Sequence, residues 1–294
     1  MAKNDIKAFA IGESANVMAQ AEWEGLDALE NGFVSGKASS AQVNKALRQS
    51  TFVAAALAQS VADISGEDVL DDGDVAGLVG RLTTSNQGRL LGVQRFTVAG
   101  SYTYTPTPGT SSIVVEVIGA GGGGGCSIVN PGGDTGYVGA GGGAGGYASG
   151  RLTDVPASLA LVVGAGGAGG VSLAQGERGG DSSFGDMTAT GGGPAGFNAS
   201  LACGGEGGTG AGGDLFNARG GSGGDMNEHT GVLNATPGAG GASRYDGGSR
   251  GAPGATGAGV SGLYGSGGSG ALSFDAEYAG GSGGDGLVVV WEYS

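Results

Sequence analysis

GAGGGGG at 119–125, GAGGGAGG at 139–146, GAGGAGG at 164–170, GGEGGTGAGG at 204–213, GGSGG at 220–224 and GGSGGDG at 280–286 write glycine as runs, not as scattered hinges. Sixty of the 72 glycines lie between Gly119 and Gly286. Such runs build no ordinary core, because glycine has no side chain to bury and loses the most backbone entropy on ordering. The region is therefore either disordered or held by a backbone lattice that only glycine permits. Glycine and proline make up about a quarter of the 294 residues, which by composition alone points to disorder. The flanks argue for order: SIVVEVI at 112–118 precedes the block and LVVVW at 287–291 follows it, both reading as strands.

A single extended glycine rod with three residues per turn has no internal hydrogen bonds. Each buried N–H and C=O must then find a partner on a neighbouring rod. Side chains between rods would hold the backbones apart, so glycine is the residue that allows it. Collagen is excluded, since the G-X-Y register is absent and only seven prolines occur. The expectation is about ten short polyglycine-II rods packed side by side.

Outward from the block, the period is two. Gln94–Val98 and Tyr102–Thr105 flank an Ala99-Gly100-Ser101 turn and read as a hairpin. Tyr147–Leu152 with Leu159–Val163, and Ser182–Gly185 with Met187–Thr190, read as further pairs, all joining one small sheet. Upstream the period is helical. Ser39 and Gln42 form a capping box, Val43, Leu47, Val53, Leu57, Val61 and Ile64 follow on one face, and Gly66 ends the helix. Val43, Ala46, Ser50, Val53, Leu57, Ser60 and Ile64 also fit heptad a/d positions, a seam suited to a bundle as well as to a coiled coil. A second helix is expected at 74–82, with Val75, Leu78, Val79 and Leu82 inward and Asp72 near its N-cap, and a short one around 19–30. The segment 83–92 reads as a linker. The fold class is therefore mixed: a helical region with linker at 1–92, then a small β-sheet base carrying glycine rods at 93–294.

Net charge is −14 and no lysine follows Lys45. Nucleic-acid binding needs clustered cations and is disfavoured. No run is long enough for membrane insertion, and MAKNDIKAFA lacks a signal-peptide pattern. Cys126 and Cys203 are too few for a disulfide scaffold and are expected as thiols.

RFTVAGSYTYTPTPGTSSIVVEVIGAGGGGG at 95–125, GGYASGRLTDVPASLALVVGAGGAGG at 145–170, GGDSSFGDMTATGGG at 179–193 and GGSGGDGLVVVWEYS at 280–294 resemble the glycine-rich receptor-binding domain of bacteriophage tail fibres. KASSAQVNKALRQSTFVAAALAQ at 37–59, with GEDVLDDGD at 66–74, resembles the N-terminal attachment region of such fibres. The resemblance implies a non-enzymatic adhesin of the virion tail fibre, assembled in the host cytoplasm. It implies a homotrimer, docked to other tail or baseplate proteins. Polyglycine-II rods would form a sandwich, and loops at its far end would touch a bacterial outer-surface receptor, protein or polysaccharide. The alternative is an ice-binding or purely structural polyglycine-II protein, against which the irregular, aromatic-bearing loops argue.

Sharper chemical motifs fall short. GGSGGDGLV at 280–288 fits the calcium nonapeptide but lacks stacked copies, so Asp285 is expected as a solvated rod end. DVLDDGD at 68–74 lacks the EF-hand ligands and reads as an acidic helix start. No phosphate-loop lysine motif occurs, and His229 is the only histidine. No cofactor or metal site is expected. The aromatics between glycine runs, Tyr137, Phe197, Phe216, Tyr245, Tyr264, Phe274 and Tyr278, divide between receptor contact and capping of rod ends against the sheet. Loops 126–138, 171–178 and 271–279 are expected at the tip. Counting forward from the 181–190 hairpin adds 194–203 and 225–236, while counting backward from the last strand adds 242–246. Tyr137, Phe197, Phe274 and Tyr278 are the expected contacts, with His229 and Tyr245 secondary.

Overall fold

The computed structural model describes residues 2–33, 39–85, 88–127, 137–196, 202–226, 235–251, 254, 256–273 and 276–294, with Tyr137 described by its backbone. The chain divides into two compact units, Met1–Gln87 and Gly88–Ser294. This boundary precedes the expected 92/93 because strand pairing already begins at Leu90.

In the first unit, helices α1 (Gln20–Glu24) and α2 (Ala28–Asn31) stand where one short helix was expected. Helix α3 (Ser40–Ser65) starts at the full capping box, with Ser39 Oγ accepting from Gln42 N and Gln42 Oε1 from Ser39 N. It stops at Gly66, left-handed at φ 73°. Helix α4 (Val75–Ser85) is capped by Asp74, whose Oδ1 accepts from Gly77 N; Asp72 caps one step outside, accepting from Asp74 N. Only Leu82 of its expected inward residues packs on the small core of Ala58, Val61, Ala62 and Val69. Val75, Leu78 and Val79 are exposed, and the N-terminal segment contributes to that core instead. Ala2 and Ile6 join the core, and Asn4 bridges Val69.

The second unit holds two antiparallel sheets, not one. The first contains β1 (Leu90–Phe96), β3 (Ser112–Ile118), β5 (Tyr147–Leu152), β10 (Phe216–Ala218) and β12 (Leu287–Tyr293), in the order β1-β12-β3-β5-β10. The second contains β2 (Gly100–Tyr104), β6 (Leu159–Val163), β7 (Ser182–Phe184), β8 (Met187–Ala189) and β9 (Gly210–Ala211), in the order β2-β6-β7-β8-β9. A two-stranded piece pairs β4 (Tyr137–Val138) with β11 (Leu272–Ser273). Two expected hairpins are therefore crossings between sheets: β1 pairs β12 while β2 pairs β6, and β5 pairs β3 and β10 while β6 pairs β2 and β7. The β7–β8 hairpin forms as expected. Between the sheets lie Tyr104, Ile113, Val115, Val117, Leu161, Val163, Phe184, Met187, Val288 and Val290, all buried. Side chains of this size each contribute roughly 1.5–3 kcal/mol over exposure.

One acid is buried among them. Glu292, 1% exposed, accepts from Tyr104 Oη (2.8 Å), Thr107 N (2.9 Å), Thr107 Oγ1 (2.7 Å) and Gln94 Nε2 (3.1 Å). Burial pushes its carboxyl up, but the bonds from Thr107, Tyr104 and Gln94 outweigh that and hold it below the usual range. Burial, with the Glu292 partner, pushes the Tyr104 hydroxyl up. A depressed carboxyl stabilises the fold fully above its unfolded value of about 4.3, and that contribution is lost as pH falls through the native value. Glu292→Leu orphans Tyr104 Oη, Thr107 N and Thr107 Oγ1, while Gln94 Nε2 keeps Thr105 O, and is expected to cost on the order of 3–5 kcal/mol. Thermal midpoints measured through the acid range check the sign. The parent should lose stability faster than Glu292→Gln once pH falls below about 4.

The glycine runs leave and re-enter these sheets as ten extended rods: 119–126, 139–146, 164–170, 176–181, 190–196, 202–209, 219–226, 237–242, 265–271 and 279–286. Their hydrogen bonds repeat every three residues. In rod 119–126, Gly119, Gly122 and Gly125 donate to Gly146, Gly143 and Ala140 of rod 139–146. Ala120 and Gly123 donate to Gly180 and Glu177, and Gly121 and Gly124 to Gly284 and Gly281. Three further rods donate back, from Gly167 and Gly170, from Gly192 and Ala195, and from Gly268 and Ala271. Six neighbours thus surround this rod. Rod 139–146 is surrounded likewise, and the other eight rods close a ring around the pair. A Cβ at Gly121, Gly123 or Gly143 would fall onto the carbonyl oxygen of Ser266, Ala168 or Glu206.

Candidate functional site

The direction of each rod follows from its partners. Rod 119–126 leaves β3 and rod 139–146 returns to β5, so Cys126 and Gly139 lie at the end away from the sheets. Rods parallel to the first are outgoing and those parallel to the second are returning. On this basis the rod ends at Cys126, Gly170, Gly196, Met226 and Ala271 are distal, as are the rod starts at Gly139, Gly176, Ala202, Pro237 and Ala279. A further pair, 248–251 and 258–262, runs outside the ring: Gly240 N donates to Ser249 O, and Gly259 and Gly262 donate to Ala279 and Ser282. Gly257, bridged to Leu272, also lies distally.

Several contacts tie the distal end together. β4 pairs with β11, and Ser127 bridges Tyr278, its N donating to Tyr278 O at 3.0 Å and its Oγ accepting from Tyr278 N at 3.1 Å. Val138, Ala235 and Leu272 are buried beside Met226, as are Ala140, Ala195 and Ala202. The buried Cys126 thiol donates to Ala174 O at 3.5 Å, and burial pushes its pKa up. Both Cys126 and Cys203 are free. The connection 171–175 is strained: Ser172 and Leu173 sit at φ 47° and 68°, where a bulky side chain is disfavoured, and Val171 and Leu173 are exposed. These two apolar residues carry no aromatic or glycine signal that would single them out in the sequence.

Of the expected contact residues, Tyr137 has its backbone in β4, and Tyr278 is half-buried at the bridge, both distal. Phe197, His229 and Phe274 lie outside the described residues. Tyr245 is at the opposite end. Rod 237–242 returns toward the sheets, so the turn after it lies on the base, and Tyr245 Oη donates to Glu116 Oε2 of β3. Burial and Glu116 push the Tyr245 hydroxyl up. It caps a rod end against the sheet, and the backward count that placed 242–246 distally is corrected by the extra pair 248–251 and 258–262. Phe216 in β10 and Tyr264, beside the base turn at Gly265, are likewise proximal. Asp285 is not a solvated end: its Oδ1 accepts from Gly166 N at 2.9 Å and its Oδ2 from Ala99 N at 3.2 Å, fastening two rods to the sheet corner. Among the described residues, no three His, Cys, Asp or Glu side chains are grouped to hold a metal ion. No described helix is long and apolar enough to cross a membrane.

The architecture defines a class: a two-sheet β base that carries a lattice of hydrogen-bonded glycine rods, with five rod ends and five rod starts at the far end. A family model described as a glycine-rich domain matches residues 97–293, and the chain belongs to that family. Comparison with curated proteins returned no match.

Proposed function

We propose that this chain is a bacteriophage tail-fibre adhesin, whose glycine-rich unit is a polyglycine-II sandwich binding a bacterial surface receptor through its distal loops. The observation that carries the reading is the convergence of rod ends. Six connections of irregular sequence start and finish at one end of a lattice whose rods are each fixed by neighbours. Binding loops positioned by a rigid scaffold are a common way to separate recognition from folding. The described distal residues offer contact area and backbone polarity, which fits adhesion. In this reading the first unit attaches the fibre to other tail or baseplate proteins, and the protein works in the virion after assembly in the host cytoplasm. The exposed Val43, Val53, Leu57 and Ile64 along α3, at heptad spacing, support a homotrimer seam there.

The test is adsorption. Tyr137→Ala, Phe274→Ala and Tyr278→Ala combined should reduce adsorption to host cells by about a hundredfold or more, since a few aromatic anchors dominate interface energy. Folding, followed by circular dichroism, should be retained. Unchanged adsorption with retained fold overturns the tip assignment. Binding of the parent protein to ice crystals, with none to bacterial surfaces, would favour the structural alternative.

A further inference from the structure

On the side of the base, at the opposite end from the distal rod ends, a cleft of about 470 Å³ opens where rods 139–146, 219–226 and 237–242 meet the first sheet. Its size falls within the range of small-ligand sites, roughly 300–1,000 Å³. Tyr147 of β5 and Phe216 of β10 form its aromatic wall, their rings 6.2 Å apart and tilted by 55°. Phe216 is 60% exposed although it stands on a strand, so its face is offered and not packed. Arg219 and Arg244 flank this wall. Rod glycines Gly145 and Gly220 line the floor.

The two cations differ in what they have left to give. Arg219 is engaged twice, by Glu206 Oε2 at 2.9 Å and by Gly207 O at 3.0 Å. Arg244 stands with its Cζ 5.8 Å from the centre of the Tyr147 ring. No carboxylate of the described residues is within ion-pair distance of it. The nearby Glu116 is already occupied by Tyr147 Oη and Tyr245 Oη. A guanidinium has five N–H donors in a planar fork that matches a carboxylate. Ser243 Oγ accepts from Tyr245 N and Asp246 N, which leaves its own proton to donate into the cleft. In a chain of net charge −14 with no lysine after Lys45, an arginine that is held by the Tyr147 side chain but has no carboxylate partner among the described residues is an attractor for an anion that also has a flat, weakly polar face.

We propose that this cleft binds an acidic sugar of the hexuronate class. Its C–H face would stack on Phe216 and Tyr147, its carboxylate would be taken by Arg244, and a ring hydroxyl by Ser243. A simple carboxylate would use the arginine but leave the wall bare. A neutral hexose would use the wall but leave the arginine without a carboxylate partner. The inference rests on the cleft alone and stands whether or not the distal loops touch a receptor.

The experiment titrates the full chain with D-glucuronate, D-glucose and acetate, followed by saturation-transfer NMR and amide shifts. Glucuronate should bind saturably, with a dissociation constant on the order of 1 mM. Arg244→Gln and Phe216→Ala should each weaken it about tenfold or more, with thermal midpoints unchanged because both side chains are exposed. Arg219→Gln should weaken it less, since that guanidinium is already paired. Acetate binding as well as glucuronate, or glucose binding as well as glucuronate, overturns the proposal. So does the absence of saturable glucuronate binding, or binding that survives both Arg244→Gln and Phe216→Ala.

Discussion

Gly143→Val is expected to unfold this protein at temperatures the parent survives, whereas Gly247→Val is not. Both replace glycine by the same β-branched residue, so intrinsic propensity does not separate them. What differs is the neighbourhood. A Cβ on Gly143 falls onto the carbonyl of Glu206, while one on Gly247 meets nothing within 4 Å. Gly143 lies in a rod enclosed by six others, so the collision cannot be relieved toward solvent. Moving rod 202–209 away breaks the bonds from Gly205 N to Gly141 O and from Gly208 N to Ala144 O, leaving four buried peptide groups without partners. Each orphan costs about 1–3 kcal/mol, giving a loss on the order of 5 kcal/mol or more. For a unit of this size that lowers the thermal midpoint by about 10–20 °C, if the variant folds at all. Gly247→Val should stay within about 2 °C of the parent. Equal midpoints for the two variants would mean that the rods are not held by backbone contact.

The sequence showed the rods because their requirement is local and compositional: a backbone that touches backbone leaves room only for glycine. It showed α3 for a similar reason, since Ser39, Gln42 and Gly66 act within one turn of the helix ends. It did not show how strands divide between the sheets. The alternation in Gln94–Val98 and Tyr102–Thr105 marks two strands and a turn, but not that the turn passes from one sheet to the other. That choice depends on β12 and β6, which lie far along the chain. The position of Tyr245 is not legible in the sequence because 248–251 and 258–262 form a rod pair without long glycine runs. On the outside of the ring a rod has fewer backbone neighbours, so Val260 and other side chains are tolerated and the compositional signal fades. One uncounted pair inverts the assignment of every turn before it. The side cleft was hidden for a different reason: Arg219 and Arg244 meet Tyr147 and Phe216 only through the packing of rods that are separated in sequence.

Hydrogen exchange should find the slowest amides of the second unit in its most glycine-rich stretch. A lone extended rod has no internal hydrogen bonds, so nothing local protects Gly119–Gly125. Every amide from Gly119 to Gly125 nevertheless donates to another rod, at 2.8–3.0 Å, and the partners belong to three different rods. Freeing one amide means displacing a segment that three rods accept from and three donate to. Opening is then collective, and these seven amides should share one opening free energy near that of global unfolding. With stabilities of 5–15 kcal/mol typical of folded proteins, their exchange should be slowed by about ten-thousandfold or more. The rod 139–146 should behave alike. Helix α3 should instead show a gradient, slow in its middle and fast at its ends, since helical bonds fray turn by turn. The outer segments 248–251 and 258–262 should exchange faster than the enclosed rods, because fewer neighbours must move. Random-coil exchange across 119–125, or a fraying gradient along it, would show that the glycine runs are not held as a lattice.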